Sequence, residues 1–157
     1  MKQYNRVLLI IFAGVFGSNF AVSANDLNSS SPEGAEVYII SPADGETVAP
    51  TFVVRFGLSG MGVAPAGVNR GNTGHHHLLV DGGQMVPLDK PMGTQVTHFG
   101  GGQTETEVSL TPGKHTLQLI LGDYNHIPHD PPVVSETITV IVESTADSEN
   151  KTETSFW

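Results

Sequence analysis

Apolar and polar residues alternate over several short stretches between residues 36 and 142, and this alternation constrains the fold more than any other feature of the chain. A period of two residues is typical of a β-strand with one buried face. Turn-forming sequences, such as those at 41–45 and 81–83, lie between the stretches. No part of the chain after residue 24 shows sustained helical periodicity. The pattern predicts an all-β domain in which about seven antiparallel strands form a β-sandwich.

The alternation also predicts where the longer strands lie. They are expected at residues 36–40, 51–58, 75–80, 104–110, 114–121 and 134–142. In the second of these, Phe52, Val54 and Phe56 share one face, which we expect to be buried. Residues 84–96 contain two prolines and a glycine and are expected to form only short edge strands, because proline cannot donate to a central ladder.

The first 24 residues have the composition of a secretory signal peptide. Lys2 and Arg6 give a basic start, residues 7–20 are mainly apolar, and Val-Ser-Ala at 22–24 fits the small-x-small cleavage pattern. We expect cleavage after Ala24 and a mature protein in the periplasm or outside the cell, without a transmembrane segment. The alternative is an uncleaved membrane anchor. The apolar run is short for a membrane span and is interrupted by glycine, so this alternative is less favoured.

Polar segments flank the predicted domain. Residues 25–35 are rich in serine and predict a flexible tether, whereas residues 143–157 are polar and charged and predict a disordered tail. The sandwich domain is therefore expected at residues 36–142.

The chain is acidic and contains no cysteine. It has 7 Lys and Arg residues against 16 Asp and Glu residues, and its formal net charge at pH 7 is −9. Because no basic patch is present to contact phosphates, neither nucleic acid nor an anionic membrane surface is an expected partner. Without cysteine, an exported protein has no disulfides. Only His, Asp, Glu, Met and backbone atoms are then left to ligate a metal.

All seven histidines lie within one window of the chain. They are His75, His76, His77, His98, His115, His126 and His129. In a sandwich of this kind, the start of strand 75–80 lies beside the end of strand 114–121, and strand 104–110 begins at the same end. Every histidine except His115 is therefore expected near one loop end of the domain. His115 opens its strand at the far end, where we expect it to be a structural corner residue.

Histidine is the commonest side-chain metal ligand, so the six remaining histidines are candidate ligands. They are His75, His77, His126, His129, His98 and His76. Strand alternation places His75 and His77 on one face of their strand and His76 on the other. Four nearby polar residues can ligate or can orient a histidine, namely Asp123, Asp130, Glu105 and Gln103. Each segment also has an interpretation without a metal. Residues 75–77 are then a solvated strand start, residues 123–132 a proline-rich loop with Asp and Asn turn bonds, and residues 98–105 a mobile glycine linker.

Four segments of the sequence resemble a known family. They are GHHHLLVD at 74–81, HFGGGQTE at 98–105, PGKHTLQL at 112–119 and GDYNHIPHDPP at 122–132. Together they are similar to the exported bacterial proteins of domain-of-unknown-function family 4399, over about residues 37–142. The sequence from Leu110 to Gly113 also resembles the entry to a strand in fibronectin-III-like domains, with His115 in place of the corner tyrosine. This resemblance implies an Ig-like (fibronectin-III-like) antiparallel β-sandwich.

Three functions are compatible with these features. The first is a periplasmic protein that binds copper or zinc through imidazoles, which suit both ions. The second is a metal-free binding module whose histidine surface responds to pH and contacts an envelope protein or a glycan. The third is an enzyme in which a histidine and carboxylate metal site activates water. The sequence contains no G-x-S-x-G motif or other nucleophile motif, so the enzyme ranks last.

Overall fold

A computed structural model describes residues 28–82 and 86–144, and these residues form nine β-strands and no helix. The strands are β1 (Glu36–Ser41), β2 (Glu46–Val48), β3 (Thr51–Ser59), β4 (Gly62–Val63), β5 (Thr73–Val80), β6 (Thr97–His98), β7 (Glu105–Ser109), β8 (Gly113–Gly122) and β9 (Ile138–Val142). Over the same residues, no helix is long and apolar enough to cross a membrane. The predicted signal peptide, the start of the predicted tether and nearly all of the predicted tail lie outside the described residues.

The strands form two sheets, which confirms the predicted all-β sandwich. β1, β3 and β7 make a three-stranded antiparallel sheet with β3 in the centre. The other sheet has the order β2-β9-β8-β5-β4, and β6 pairs with the same edge of β5 as β4. The expected number of about seven strands is too low, because β2, β4 and β6 have only two or three residues and are too short to show an alternation. β2 and β4 also pair in parallel, whereas the other strand pairs are antiparallel.

The main hydrophobic core lies between the two sheets. Val54 and Phe56 of β3 are buried in one cluster with Leu117 and Leu119 of β8. These residues recur every second position, as the alternation predicts. Burial of an aliphatic or aromatic side chain of this size stabilises the fold by about 1.5–3 kcal/mol. The alternating positions of β3 and β8 therefore hold the two sheets together.

A smaller apolar cluster lies on the outer face of the six-stranded sheet. It consists of Leu79 from β5, Ile120 from β8 and Val86 from the segment between β5 and β6, with Met92 and Val96 packed against them. The segment from residue 86 to β6 thus covers the outer face of β5. As a result, β5 is buried on both faces and has six consecutive buried residues.

The first described residues, which belong to the predicted tether, contact this covering segment and the loop after β8. The Asn28 amide donates hydrogen bonds to the carbonyl oxygens of Leu88, at 2.6 Å, and Pro128, at 3.0 Å. The Ser29 hydroxyl donates to the Asp123 carboxylate at 2.8 Å. Asn28 therefore joins the covering segment to the loop after β8.

His115 lies near the start of β8 and is hydrogen-bonded through both ring nitrogens. Nδ1 donates to the Asp81 carboxylate at 2.6 Å, and Nε2 donates to the Thr111 carbonyl oxygen at 2.8 Å. The hydrogen bond to Asp81 and the second one to Thr111 raise the pKa of His115. The protonated ring thus ties the start of β8 to the end of β5 and to the preceding turn.

We predict that His115→Ala lowers the free energy of unfolding by about 1–2 kcal/mol at pH 6 and by less at pH 9. The folded pKa of His115 is raised, so its contribution is complete below the unfolded pKa and is lost as the pH rises through the folded pKa. Urea unfolding at the two pH values measures the effect. Lys114→Ala is the matched control, because Lys114 is the exposed neighbour on the same strand. An equal loss at both pH values would contradict the prediction.

Candidate metal centre

β5 places two imidazoles next to each other on the outer face of the six-stranded sheet. His75 and His77 are separated by one residue, so both side chains leave β5 on the face opposite the main core. They are 0% and 1% exposed, and their ring centroids are 4.7 Å apart. Gly122 of β8 lies opposite His75, and a Cβ at Gly122 would come within 2.6 Å of Cε1 of His77. A glycine at this position therefore gives the His77 ring its space.

β6 brings a third imidazole to the same face. His98 is the register partner of His77, and its ring centroid lies 5.2 Å from that of His77 and 4.9 Å from that of His75. A Cβ at Gly100 would come within 2.6 Å of Nε2 of His98, so the ring lies directly over this glycine. His98 reaches the other histidines because β6 pairs with the edge of β5, a pairing that the sequence pattern does not indicate.

The loop after β8 supplies the fourth imidazole through a tight turn. The Asp123 carbonyl oxygen accepts a hydrogen bond from the His126 amide at 2.9 Å. Oδ1 of the buried Asp123 accepts two more, from the amides of Asn125 at 2.9 Å and Ile127 at 3.0 Å. His126 has a φ of +66°, a conformation that non-glycine residues adopt rarely and keep only where their surroundings hold it. The turn brings Nδ1 of His126 to 3.2 Å from Nε2 of His75.

The four imidazoles form one cluster, which we call the histidine cluster. One ring nitrogen from each lies within 4.8 Å of the others, and the residues are His75, His77, His98 and His126. Two ligand nitrogens at about 2.0–2.1 Å from a tetrahedral ion are about 3.3 Å apart. The distance of 3.2 Å between Nε2 of His75 and Nδ1 of His126 is close to this value. His98 is exposed and His126 is half-buried, so the cluster is open to solvent on one side. The site lies on the outer face of the sheet, and the loop after β8 adds one of its four rings.

Burial keeps the two inner imidazoles neutral. It lowers the pKa of His75 to about 4 and the pKa of His77 to about 3, and the neighbouring histidines add to both shifts. Neutral imidazole is the form that binds a metal. Within the described residues, Nδ1 of His75 and Nδ1 of His77 are buried without a hydrogen-bond partner, although buried polar atoms are nearly always paired. The cluster therefore holds ring nitrogens that the described part of the protein leaves unpaired.

Two of the six candidate histidines lie outside the cluster. His76 faces the main core, and its Nδ1 lies 3.2 Å from the Gln103 carbonyl oxygen. His129 is buried, with its ring nitrogens 3.2 Å and 3.4 Å from the carbonyl oxygens of Thr73 and Leu121. These contacts link the start of β5 to the end of β8. The structure thus gives His129 a place between two strands and does not bring it to the other four rings.

Of the four polar residues expected to ligate or to orient a histidine, Asp123 alone contacts a member of the cluster. It shapes the turn that carries His126, and its negative charge opposes the lowering of the His75 pKa. Asp130 is exposed. The Gln103 side chain accepts a hydrogen bond from a glycine amide in its own turn, and Glu105 forms an exposed ion pair with Arg55 at 3.0 Å.

We predict that the metal-free protein loses stability as the pH falls from about 6.5 towards 4. Below pH 6.5 the unfolded chain protonates His75 and His77, whereas the folded chain keeps them neutral, so stability declines by about 2 kcal/mol per ring by pH 5. Urea unfolding of wild type and of the double variant His75→Asn/His77→Asn measures the difference, because asparagine does not titrate. Identical pH slopes for the two proteins would contradict this prediction.

Comparison with known proteins gives one family match and one distant structural likeness. No curated protein matches the chain. A similar solved structure is described as the fibronectin(III)-like modules of CbhA from Clostridium thermocellum. It is 14% identical to this chain, has a TM-score of 0.35, and its match covers 68% of this chain and 95% of that one. A likeness of this size carries no argument, and the fold assignment rests on the two sheets.

A family model described as domain of unknown function DUF4399 matches residues 54–143. The match covers more than half of the chain and includes all four residues of the histidine cluster. The resemblance that the four sequence segments indicate is thereby confirmed. The protein belongs to the DUF4399 family.

Proposed function

We propose that this protein is an exported metal-binding protein that holds one copper or zinc ion with His75, His77, His98 and His126. The observation that carries the proposal is the convergence of four imidazole nitrogens within 4.8 Å. These nitrogens come from β5, β6 and the loop after β8, which are separate in sequence. Crowding neutral imidazoles in this way costs hydrogen bonds and hydration, and a bound cation offsets that cost.

The chemistry of the ligand set fits a divalent transition ion. Imidazole suits zinc and copper, whereas calcium and magnesium prefer oxygen ligands, and the cluster itself contains no carboxylate. The lowered pKa values of His75 and His77 favour binding near neutral pH, because these rings need not release a proton to accept an ion. The exposed His98 gives the ion a route from solvent.

Export is the second part of the proposal. It is supported by the basic start at Lys2 and Arg6, the apolar stretch that follows and the cleavage pattern ending at Ala24. The absence of cysteine leaves nothing in the chain to be oxidised to a disulfide in the periplasm. A signal-peptide processing assay with N-terminal sequencing of the mature protein tests this part.

We predict that the mature protein binds one equivalent of Cu(II) or Zn(II). His98→Ala and His126→Ala are expected to weaken binding by about 10–1000-fold each while folding is kept, because each removes one of four ligands from the open side of the site. Isothermal titration and metal analysis of protein purified without chelator or affinity tag provide the measurement. His115→Ala is the matched control, since His115 lies outside the cluster. If wild type binds neither ion, the metal-binding function is excluded and the metal-free binding module is favoured.

We also predict that Gly100→Ala weakens metal binding about tenfold or more with little loss of stability. The new Cβ would overlap the His98 ring, which is exposed and can swing out into solvent without disturbing the core. Gly71→Ala is the matched control, because a Cβ at Gly71 meets nothing within 4 Å. Unchanged affinity in Gly100→Ala would show that His98 does not have to occupy its position over Gly100.

A further inference from the structure

We propose that Met92 is a thioether ligand of the histidine cluster, so that the ion is copper and the site holds Cu(I) as well as Cu(II). This inference rests on the proposed metal-binding function and names the ion. It concerns the residue that approaches the cluster from the covering segment, a segment whose role the sequence pattern leaves unassigned.

The methyl end of the Met92 side chain lies over the same glycine as the His77 ring. A Cβ at Gly122 would lie 2.6 Å from Cε1 of His77 and 2.8 Å from Cε of Met92. The imidazole and the methylthio end of Met92 therefore share the small space above this glycine. Since Gly122 is the register partner of His75, the thioether reaches the part of the sheet from which the inner imidazoles project.

The backbone of Met92 is fixed to a second member of the cluster. Its amide donates a hydrogen bond to the His126 carbonyl oxygen at 2.9 Å. Its side chain is half-buried and packs against the apolar cluster of Leu79, Val86 and Ile120. Met92 is thus bonded to the loop that carries one proposed ligand and lies over the same glycine as another.

The chemistry of sulfur determines which ion such a site favours. Zinc in proteins is bound by thiolate, imidazole and carboxylate, whereas the soft, neutral thioether selects Cu(I). In a chain without cysteine, methionine is the source of soft sulfur. Methionine has three rotatable bonds and adjusts to small changes in ion position, so Met92 can serve an ion whose preferred geometry changes with oxidation state. The alternative role for Met92 is that of a gap-filling core residue.

The variant Met92→Leu separates these two roles, because leucine keeps the apolar volume and removes the sulfur. The measurement is the Cu(I) dissociation constant of the full chain after export and maturation, obtained by competition with a chromophoric Cu(I) chelator under anaerobic reducing conditions. The Zn(II) dissociation constant is measured by titration on the same samples. Met61→Leu is the matched control, since Met61 is a partly buried methionine that packs against the main core.

We expect Met92→Leu to weaken Cu(I) binding about tenfold or more and to change Zn(II) binding less than about threefold. X-ray absorption at the copper edge should show a sulfur scatterer in Cu(I)-loaded wild type and in Met61→Leu, and should lack it in Met92→Leu. Such a result would support ligation by Met92.

Equal Cu(I) affinities for wild type and Met92→Leu would overturn the inference, and so would a loss of Zn(II) affinity as large as the loss of Cu(I) affinity. In either case the histidine cluster still binds metal, so the proposed function stands. If wild type binds neither copper nor zinc, both the inference and the proposed function fail.

Discussion

The antiparallel pairing of β5 with β8 is the interaction on which the rest of the structure depends. Six register pairs, from His75–Gly122 to Val80–Leu117, join the two strands in the middle of the larger sheet. On the inner face this pairing supplies Leu78, Leu117 and Leu119 to the main core. On the outer face it sets His75 opposite Gly122, and this glycine leaves room for the His77 ring. One ladder therefore fixes both the stability of the sandwich and the position of the candidate site.

The outer face of this ladder carries an unusual combination of groups. Its apolar residues include Leu79 and Ile120, which pack with Val86 of the covering segment, and Ile120 is the register partner of His77. The same face holds the buried rings of His75 and His77, which are less favourable to bury than aliphatic groups of similar size. A fold selected for stability alone would place aliphatic residues at both positions. The burial of two imidazoles in contact with two further imidazoles is therefore the observation on which the proposed metal-binding function rests.

Sequence alone predicts the parts of this structure that follow from a period of two. The inward face of β3, the apolar face of β8 and the shared face of His75 and His77 all follow from alternation. The double burial of β5 does not, because the covering segment has no period and its contacts are made by side chains such as Val86 and Met92 at irregular spacing. The position of His98 likewise depends on a two-residue edge strand. His129 was expected to join the other rings, yet carbonyl oxygens of Thr73 and Leu121 hold it elsewhere, and no local pattern reveals such long-range partners.

The second edge of β5 has a consequence for how the protein behaves at high concentration. β4 pairs with Thr73 and Gly74, β6 pairs with His77 and Leu78, and between them the amides of Ala64 and Phe99 donate to carbonyl oxygens of β5. Most of this edge of the strand with the longest buried run is thus already paired, which leaves little of it for another chain. The edge that the sheet presents beyond it consists of two-residue strands, which are poor templates for intermolecular pairing. Two short strands that contribute little to the core therefore cover this edge of the larger sheet against pairing with another chain.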